Sequence, residues 1–153
     1  MRVGIGYDVH RLKIGRRLII GGVHIDHQTG LDGHSDADVL THAVIDAILG
    51  AAGLGDIGEL FAADDPKFEN ASSLDLLSTA VEAVIAAGYR IVNVDSTVIA
   101  EEPRLAPHLP AMRGNLAQRL EIDHVSVKAT SPEGLGALGR KEGIAAHAMA
   151  LLE

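Results

Sequence analysis

Asp8 and His10 stand two residues apart at the end of the run Met1-Arg2-Val3-Gly4-Ile5-Gly6-Tyr7-Asp8-Val9-His10. The run reads as a buried strand, and alternate side chains of a strand face the same way. Asp8 and His10 therefore share a face, with Val9 on the other. A carboxylate beside an imidazole is half of a metal site or half of a proton relay. An ordinary hydrogen-bonded pair is the competing reading.

A second pattern lies thirty residues on. Asp38, His42 and Asp46 recur every fourth residue. They stand among Val39, Leu40, Ala43, Val44, Ile45, Ala47, Ile48 and Leu49, which are apolar nearly all round a helix. A polar stripe on a buried helix is costly unless it is partnered. If His42 joins Asp8 and His10, three ligands leave one tetrahedral position open, the pattern of a catalytic zinc. Asp46 is then a candidate partner for the other ring nitrogen of His42. A core histidine satisfied by its neighbours is the alternative, and the Asp-x-His spacing alone does not decide.

Other stretches suit phosphates or ions. Gly33-His34-Ser35-Asp36 precedes a helix, where free amides favour anions; a plain capping loop reads as well. Lys128-Ala129-Thr130-Ser131-Pro132-Glu133 ends a strand with two hydroxyls and a carboxylate, a set that can hold phosphate oxygens and a hard cation. A turn broken by Pro132 is the simpler reading. Gly136 to Lys141 adds basic residues beside a glycine turn, or a solvated loop. Asp64, Asp65, Glu101 and Glu102 read as solvated acids.

The elements that must position these groups follow from periodicity. Residues 2–10 form a strand and 18–25 a second, with 26–34 as a loop. Ser35 caps a helix running to about residue 51 and stopping at Gly53. Residues 55–58 form a glycine-flanked turn and 62–71 an irregular acidic loop. A second helix starts at Ser72-Ser73 and ends at Gly88, a β-branched strand spans 91–100, a third helix spans about 110–120, and a strand spans 124–129. Residues 143–152 are ambiguous, because their alanines favour helix and their short apolar run fits a strand. The architecture expected is α+β: a two-layer domain over residues 1–153, with a small mixed sheet and helices packed on one face. Few aromatics are available to cover the other face, which points to a homo-oligomer.

Composition narrows the function. The chain has 153 residues, 47% hydrophobic but only 3% aromatic, so its core is built from Ala, Val, Ile and Leu. A net charge of −8 without a basic run argues against nucleic-acid binding. With no cysteine, any zinc must take nitrogen and oxygen ligands. No apolar run is long enough to span a membrane, and the sequence opens directly on a strand pattern, so a cytoplasmic protein is expected.

Taken together, GYDVHRL at 6–12, IIGGV at 19–23, HSDADVLTHAVIDAILGAAGLGDIG at 34–58, NVDSTVIAEEPRLAPH at 93–108, VKAT at 127–130 and GRKEGI at 139–144 resemble the 2-C-methyl-D-erythritol 2,4-cyclodiphosphate synthase family. The resemblance implies an intramolecular reaction. The 2-phosphate of 4-diphosphocytidyl-2-C-methyl-D-erythritol 2-phosphate attacks the β-phosphorus, CMP leaves and a cyclic diphosphate forms. It implies zinc on Asp8, His10 and His42, and Mg²⁺ or Mn²⁺ on Glu133. His34 and Ser131 match the residues that stabilise the transition state. Ser35, Asp56, Gly58, Phe61, Asp64 and Asp65 match residues on the substrate, with Asp56 and Gly58 on its methylerythritol part. Ala100, Pro103, Arg104, Leu105, Ala106, Ala129 and Thr130 match the cytidine pocket. Arg140 matches an arginine lining a central cavity that can hold an isoprenoid diphosphate. The family is a homotrimer with its sheets around the central axis and its active sites between subunits.

The chain departs from the family at Ala62-Ala63, at Pro132 and at Ala137, where an aromatic residue is common. Two rival functions remain on the residues alone. One is a zinc phosphohydrolase with Asp46 or Asp56 as base. The other is a non-catalytic trimeric module whose metal is structural, which would need a fourth protein ligand such as His34.

Overall fold

The computed structural model describes residues 1–61 and 71–153. Its long first strand, β1 (Arg2–Ile14), pairs antiparallel with β4 (Thr29–Leu31) on one side and with β7 (Gly143–Leu152) on the other. Then come β5 (Ile91–Ile99), antiparallel to β7, and β6 (Val125–Thr130), parallel to β5, giving the order β4-β1-β7-β5-β6. The sheet is mixed, as expected.

The strand expected over 18–25 is instead a hairpin of β2 (Leu18–Ile20) and β3 (Val23–Ile25). Gly21 and Gly22 turn it with φ of 57° and 70°, the paired positive angles that a tight two-residue hairpin requires. Inside the expected loop over 26–34, the short β4 adds to the sheet edge.

Helix α1 (Val39–Ala52) packs on β1 and β7. Its start corrects the expected Ser35 cap. Asp38 is the N-cap, its carboxylate accepting the Thr41 N–H, while Ala37 at φ 56° keeps the preceding residues out of the helix. The same buried carboxylate accepts the N–H groups of Gly21 and Gly22 at 2.8 and 2.7 Å, tying the hairpin turn to the helix. The helix ends at Gly53, in the left-handed region, as expected. Residues 57–60 form one helical turn, α2 (Ile57–Leu60), capped by Asp56, where only a turn was expected.

Helix α3 (Ser73–Ala86) lies against α1, and α4 (Leu109–Leu120), entered through a 3-10 turn at Ala106–His108, lies against α3 and β6. A last short turn, α5 (Gly136–Gly139), leads into β7.

The ambiguous final segment is a strand because it fills the slot between β1 and β5. Ile144, Ala146, Ala148, Ala150 and Leu152 are buried, while His147 and Met149 face outward. Small residues on the inner face let α1 approach closely. A Cβ placed at Gly4 or Gly6 would overlap the carbonyl oxygens of Ala47 and Ala43. On the outer face Val3, Ile5, Tyr7 and Val9 remain 46–68% exposed. Among the described residues, no helix is long and apolar enough to cross a membrane.

Candidate functional site

The close seating of α1 on β1 builds the site. Gly6 and Ala43 touch, so His42, one residue before Ala43, lies level with Asp8, two residues beyond Gly6. Asp8 and His10 pair with Ala146 and Ile144 of β7, on the sheet face that α1 covers. Asp8 Oδ2, His10 Nε2 and His42 Nδ1 converge, with separations of 2.8 Å (Asp8–His10), 3.0 Å (Asp8–His42) and 3.2 Å (His10–His42). A tetrahedral ion with bonds of about 2.0 Å spans ligand pairs of about 3.3 Å, so the three atoms are close to the separation such an ion sets.

The chemistry of the donors fits a cation as well. His10 Nδ1 lies 2.9 Å from the Asp32 carbonyl, which can only accept, so the ring proton sits on Nδ1 and the neutral ring presents a bare Nε2 to Asp8. Lone pairs facing one another this closely need a positive centre, whether a proton or a metal ion. Burial works to raise the Asp8 carboxyl, but the hydrogen bonds and charges of His10 and His42 outweigh it and hold it well below the usual carboxylate range. Burial works to lower the His10 imidazole, but its bond to Asp8 and the charges of Asp8 and Asp32 raise it above its ordinary value. Among the described residues, this is the one cluster of three such side chains able to hold a metal ion.

The partner expected for the other nitrogen of His42 was Asp46, and the structure corrects this. Asp46 accepts the N–H of Ile57 at 2.8 Å, fastening α2 to α1, and burial pushes its carboxyl up. His42 Nε2 faces two hydroxyls instead, Ser73 Oγ at 2.8 Å and Ser35 Oγ at 3.2 Å. Ser73 donates in turn to Asp36. Sequence reasoning placed Ser35 on the substrate and gave Ser73 no part in the site; neither was expected beside His42. The available signal was the Ser72-Ser73 pair at a helix start, where one serine suffices as cap. Here Ser72 makes no side-chain cap bond, and the hydroxyl of Ser73 is turned into the site.

Arg16 was missed too. Its guanidinium donates to the carbonyls of Leu31, Gly33 and Ser35, bracing the loop that carries His34. His34 itself is exposed.

The remaining expected residues form a second cluster. Because β5 and β6 run parallel with a helix between them, their C-terminal ends lie side by side, and Ala100 N–H donates to Thr130 O at 3.1 Å. This brings the segment Ala100 to Ala106, with Pro103, Arg104 and Leu105, beside Ala129, Thr130, Ser131 and Glu133. Ala100 and Leu105 are buried; Arg104, Ala106, Ala129, Thr130, Ser131 and Glu133 are exposed. Ser131 Oγ donates to Glu101 at 3.0 Å and accepts the Glu133 N–H at 2.9 Å.

Asp56 and Gly58 are exposed near α2, Phe61 is buried in the core, and Arg140 is exposed and paired with Glu142. Asp64 and Asp65 lie outside the described residues.

Fold and site together define an α+β protein whose covered sheet face gathers three convergent donors fit for a cation. The YgbB family profile matches residues 1–153, and the chain belongs to that family. The chain is 59% identical, over 100% of its own length and 99% of the relative's, to 2-C-methyl-D-erythritol 2,4-cyclodiphosphate synthase of Syntrophomonas wolfei. It is similar to the bifunctional IspDF of Campylobacter jejuni at TM-score 0.95 and 46% identity, covering 99% of this chain but only 42% of that longer protein. It is also similar to the CDP complex of IspF from Plasmodium falciparum at TM-score 0.86 and 37% identity, covering 99% of this chain and 94% of the other.

Proposed function

We propose that residues 1–153 form one synthase domain. It converts 4-diphosphocytidyl-2-C-methyl-D-erythritol 2-phosphate into 2-C-methyl-D-erythritol 2,4-cyclodiphosphate and CMP. The observation that carries this is the convergence of Asp8, His10 and His42 on a fold whose full-length relatives are named for that product.

The nucleophile is a phosphate oxygen already ionised at neutral pH, so no strong base is needed. That oxygen forms a bond to the β-phosphorus. The bond from the β-phosphorus to the bridging oxygen breaks, and its electron pair departs with CMP. The work left to the protein is to fold the substrate onto itself and to meet negative charge with fixed partners.

Asp8, His10 and His42 would hold zinc, which when bound supplies a Lewis acid for a β-phosphate oxygen. Glu133 would hold magnesium or manganese, an oxygen ligand for a hard cation. His34 and Ser131 contact the reacting phosphates, and Ser35 borders them. Asp56 and Gly58 would hold the methylerythritol part, Phe61, Asp64 and Asp65 would serve substrate binding, and the segment Ala100 to Ala106 with Ala129 and Thr130 takes the cytidine. Arg140 stands by the central cavity.

The assembly we infer is a homotrimer with active sites between subunits. Two features support it: the metal cluster and the cytidine cluster close their hydrogen bonds separately within the chain, and β1 carries an exposed apolar face.

The test is ³¹P NMR of the purified chain with this substrate and Mg²⁺. Cyclic diphosphate with CMP is the expected product. A linear phosphate product would replace the synthase by a zinc phosphohydrolase.

A further inference from the structure

His42 is held from both sides. Its Nδ1 lies 3.0 Å from Asp8 Oδ2, and its Nε2 lies 2.8 Å from Ser73 Oγ. Ser73 is fully buried at the first residue of α3. Its hydroxyl donates to Asp36 Oδ1, and its N–H donates to Asp36 Oδ2 at 2.9 Å.

A carboxylate has no proton to return, so the single hydroxyl proton of Ser73 is spent on Asp36. Ser73 Oγ therefore offers His42 only lone pairs and calls for a proton on Nε2; the Asp8 carboxylate, which also only accepts, calls for a positive centre at Nδ1, and a cation there answers that demand in place of a second proton. In the neutral ring Nδ1 is then bare and aimed at the cluster. Ser35 Oγ also accepts the Ala37 N–H and lies farther from Nε2, at 3.2 Å against 2.8 Å, so by distance it is the weaker of the two hydroxyl partners.

We propose that Ser73, backed by Asp36, is a positioning residue that keeps the His42 ring proton on Nε2 and so presents Nδ1 as a lone-pair donor to a divalent cation. The proposal rests on reading Asp8, His10 and His42 as a metal site. It gives His42 the role that the Asp32 carbonyl plays for His10, through a serine inserted between carboxylate and imidazole. Such outer partners set ligand orientation and tautomer, and losing one typically weakens metal binding by about 10- to 100-fold. The Asp36–Ser73 pair also joins the loop before α1 to the start of α3, because Asp36 N–H donates to the Ala71 carbonyl at 3.2 Å.

The experiment uses the full chain, with zinc affinity measured by competition against a chromophoric chelator. The His42 tautomer is read by ¹⁵N NMR of the metal-free protein. In the wild type the proton is expected on Nε2. Ser73→Ala should weaken zinc binding by about 10- to 100-fold and populate the Nδ1–H form.

Asp36→Asn is the second variant, needed because Ser73 is buried and its truncation can impair folding. Its amide can donate to Ser73 Oγ and release the serine proton toward His42 Nε2, driving the ring proton to Nδ1. It should lose at least as much affinity. Asp46→Asn should leave zinc affinity unchanged. A folded Ser73→Ala or Asp36→Asn chain that binds zinc as tightly as the wild type, with the proton still on Nε2, would overturn the proposal. A wild-type chain that takes up no zinc would overturn the metal reading itself, and this role with it.

Discussion

Removing the His42 imidazole takes away one of three donors and leaves Asp8 and His10 without their partner across the cluster. His42→Ala should reduce zinc from about one ion per chain toward none, and turnover should fall with it. Metal content by mass spectrometry checks this, and stoichiometric zinc retained in the variant would count against the triad. Glu133 stands in the other cluster and makes an independent prediction. Glu133→Gln should raise the Mg²⁺ concentration for half-maximal activity by about tenfold, equivalent to about 1.4 kcal/mol, while zinc stays bound. Unchanged Mg²⁺ dependence would remove Glu133 from the site. At this scale the triad was legible because strand alternation pairs Asp8 with His10 and the helix stripe singles out His42. The misreading of Asp46 was physical. Spacing of four places it beside His42 along the helix, but the His42 ring reaches between β1 and α3, and Asp46 turns to the Ile57 amide. Ser73 and Asp36 come together only when α3 docks, so no local pattern marks them.

The seating of α1 on β1 is the element on which the site depends. Gly6→Ala should force the two apart, because its new Cβ meets the Ala43 carbonyl, part of a helix that cannot yield locally. Overpacking of this kind costs about 3 kcal/mol. That corresponds to a fall of roughly 10 °C in melting temperature for a chain of this size. Zinc affinity should fall as well, since His42 rides on the displaced helix. A thermal melt and a zinc titration of the same sample check both, and an unshifted melt would show that the contact is not tight. Asp38→Ala would act on the same helix from its start. It strips acceptors from the Gly21, Gly22 and Thr41 amides and should cost about 2 to 4 kcal/mol, read by denaturant unfolding. The three long helices and the strand at 91–99 were legible in the sequence. The true start of α1 was not, because Ser35 and Asp38 are both good caps. The choice between them was made by the distant Gly21-Gly22 turn, which needs the Asp38 carboxylate. Likewise the alanines of β7 gave no reliable period; the strand exists because β1 and β5 both need a partner and α1 needs a shallow floor.

For the whole molecule, the proposed reaction requires the Asp8–His10–His42 cluster and the cluster at the β5 and β6 ends to meet at one substrate. The exposed apolar row on β1 supplies the physical argument. Val3, Ile5, Tyr7 and Val9 lie on one sheet face, joined on β7 by Met149 and by His147, whose ring lies tilted against Tyr7 with centroids 4.8 Å apart. A soluble monomer seldom leaves a contiguous apolar face of this kind in water. Burying it against further copies of the chain would let the Asp8–His10–His42 cluster of one subunit meet the cluster at the β5 and β6 ends of another, as proposed above. Ile5, 68% exposed, faces away from α1, so Ile5→Asp should leave the fold and the Asp8–His10–His42 cluster intact while placing a charge in the subunit contact. An unpaired charge there costs several kcal/mol, enough to dissociate a marginal assembly. The expected outcome by light scattering is a trimeric wild type and a monomeric variant. That monomer should still bind zinc at near wild-type affinity yet turn over substrate poorly, because each chain then holds only half of the groups. A monomeric Ile5→Asp chain with full activity would place the whole site within one subunit, and a trimer that survives the substitution would move the contact to another face.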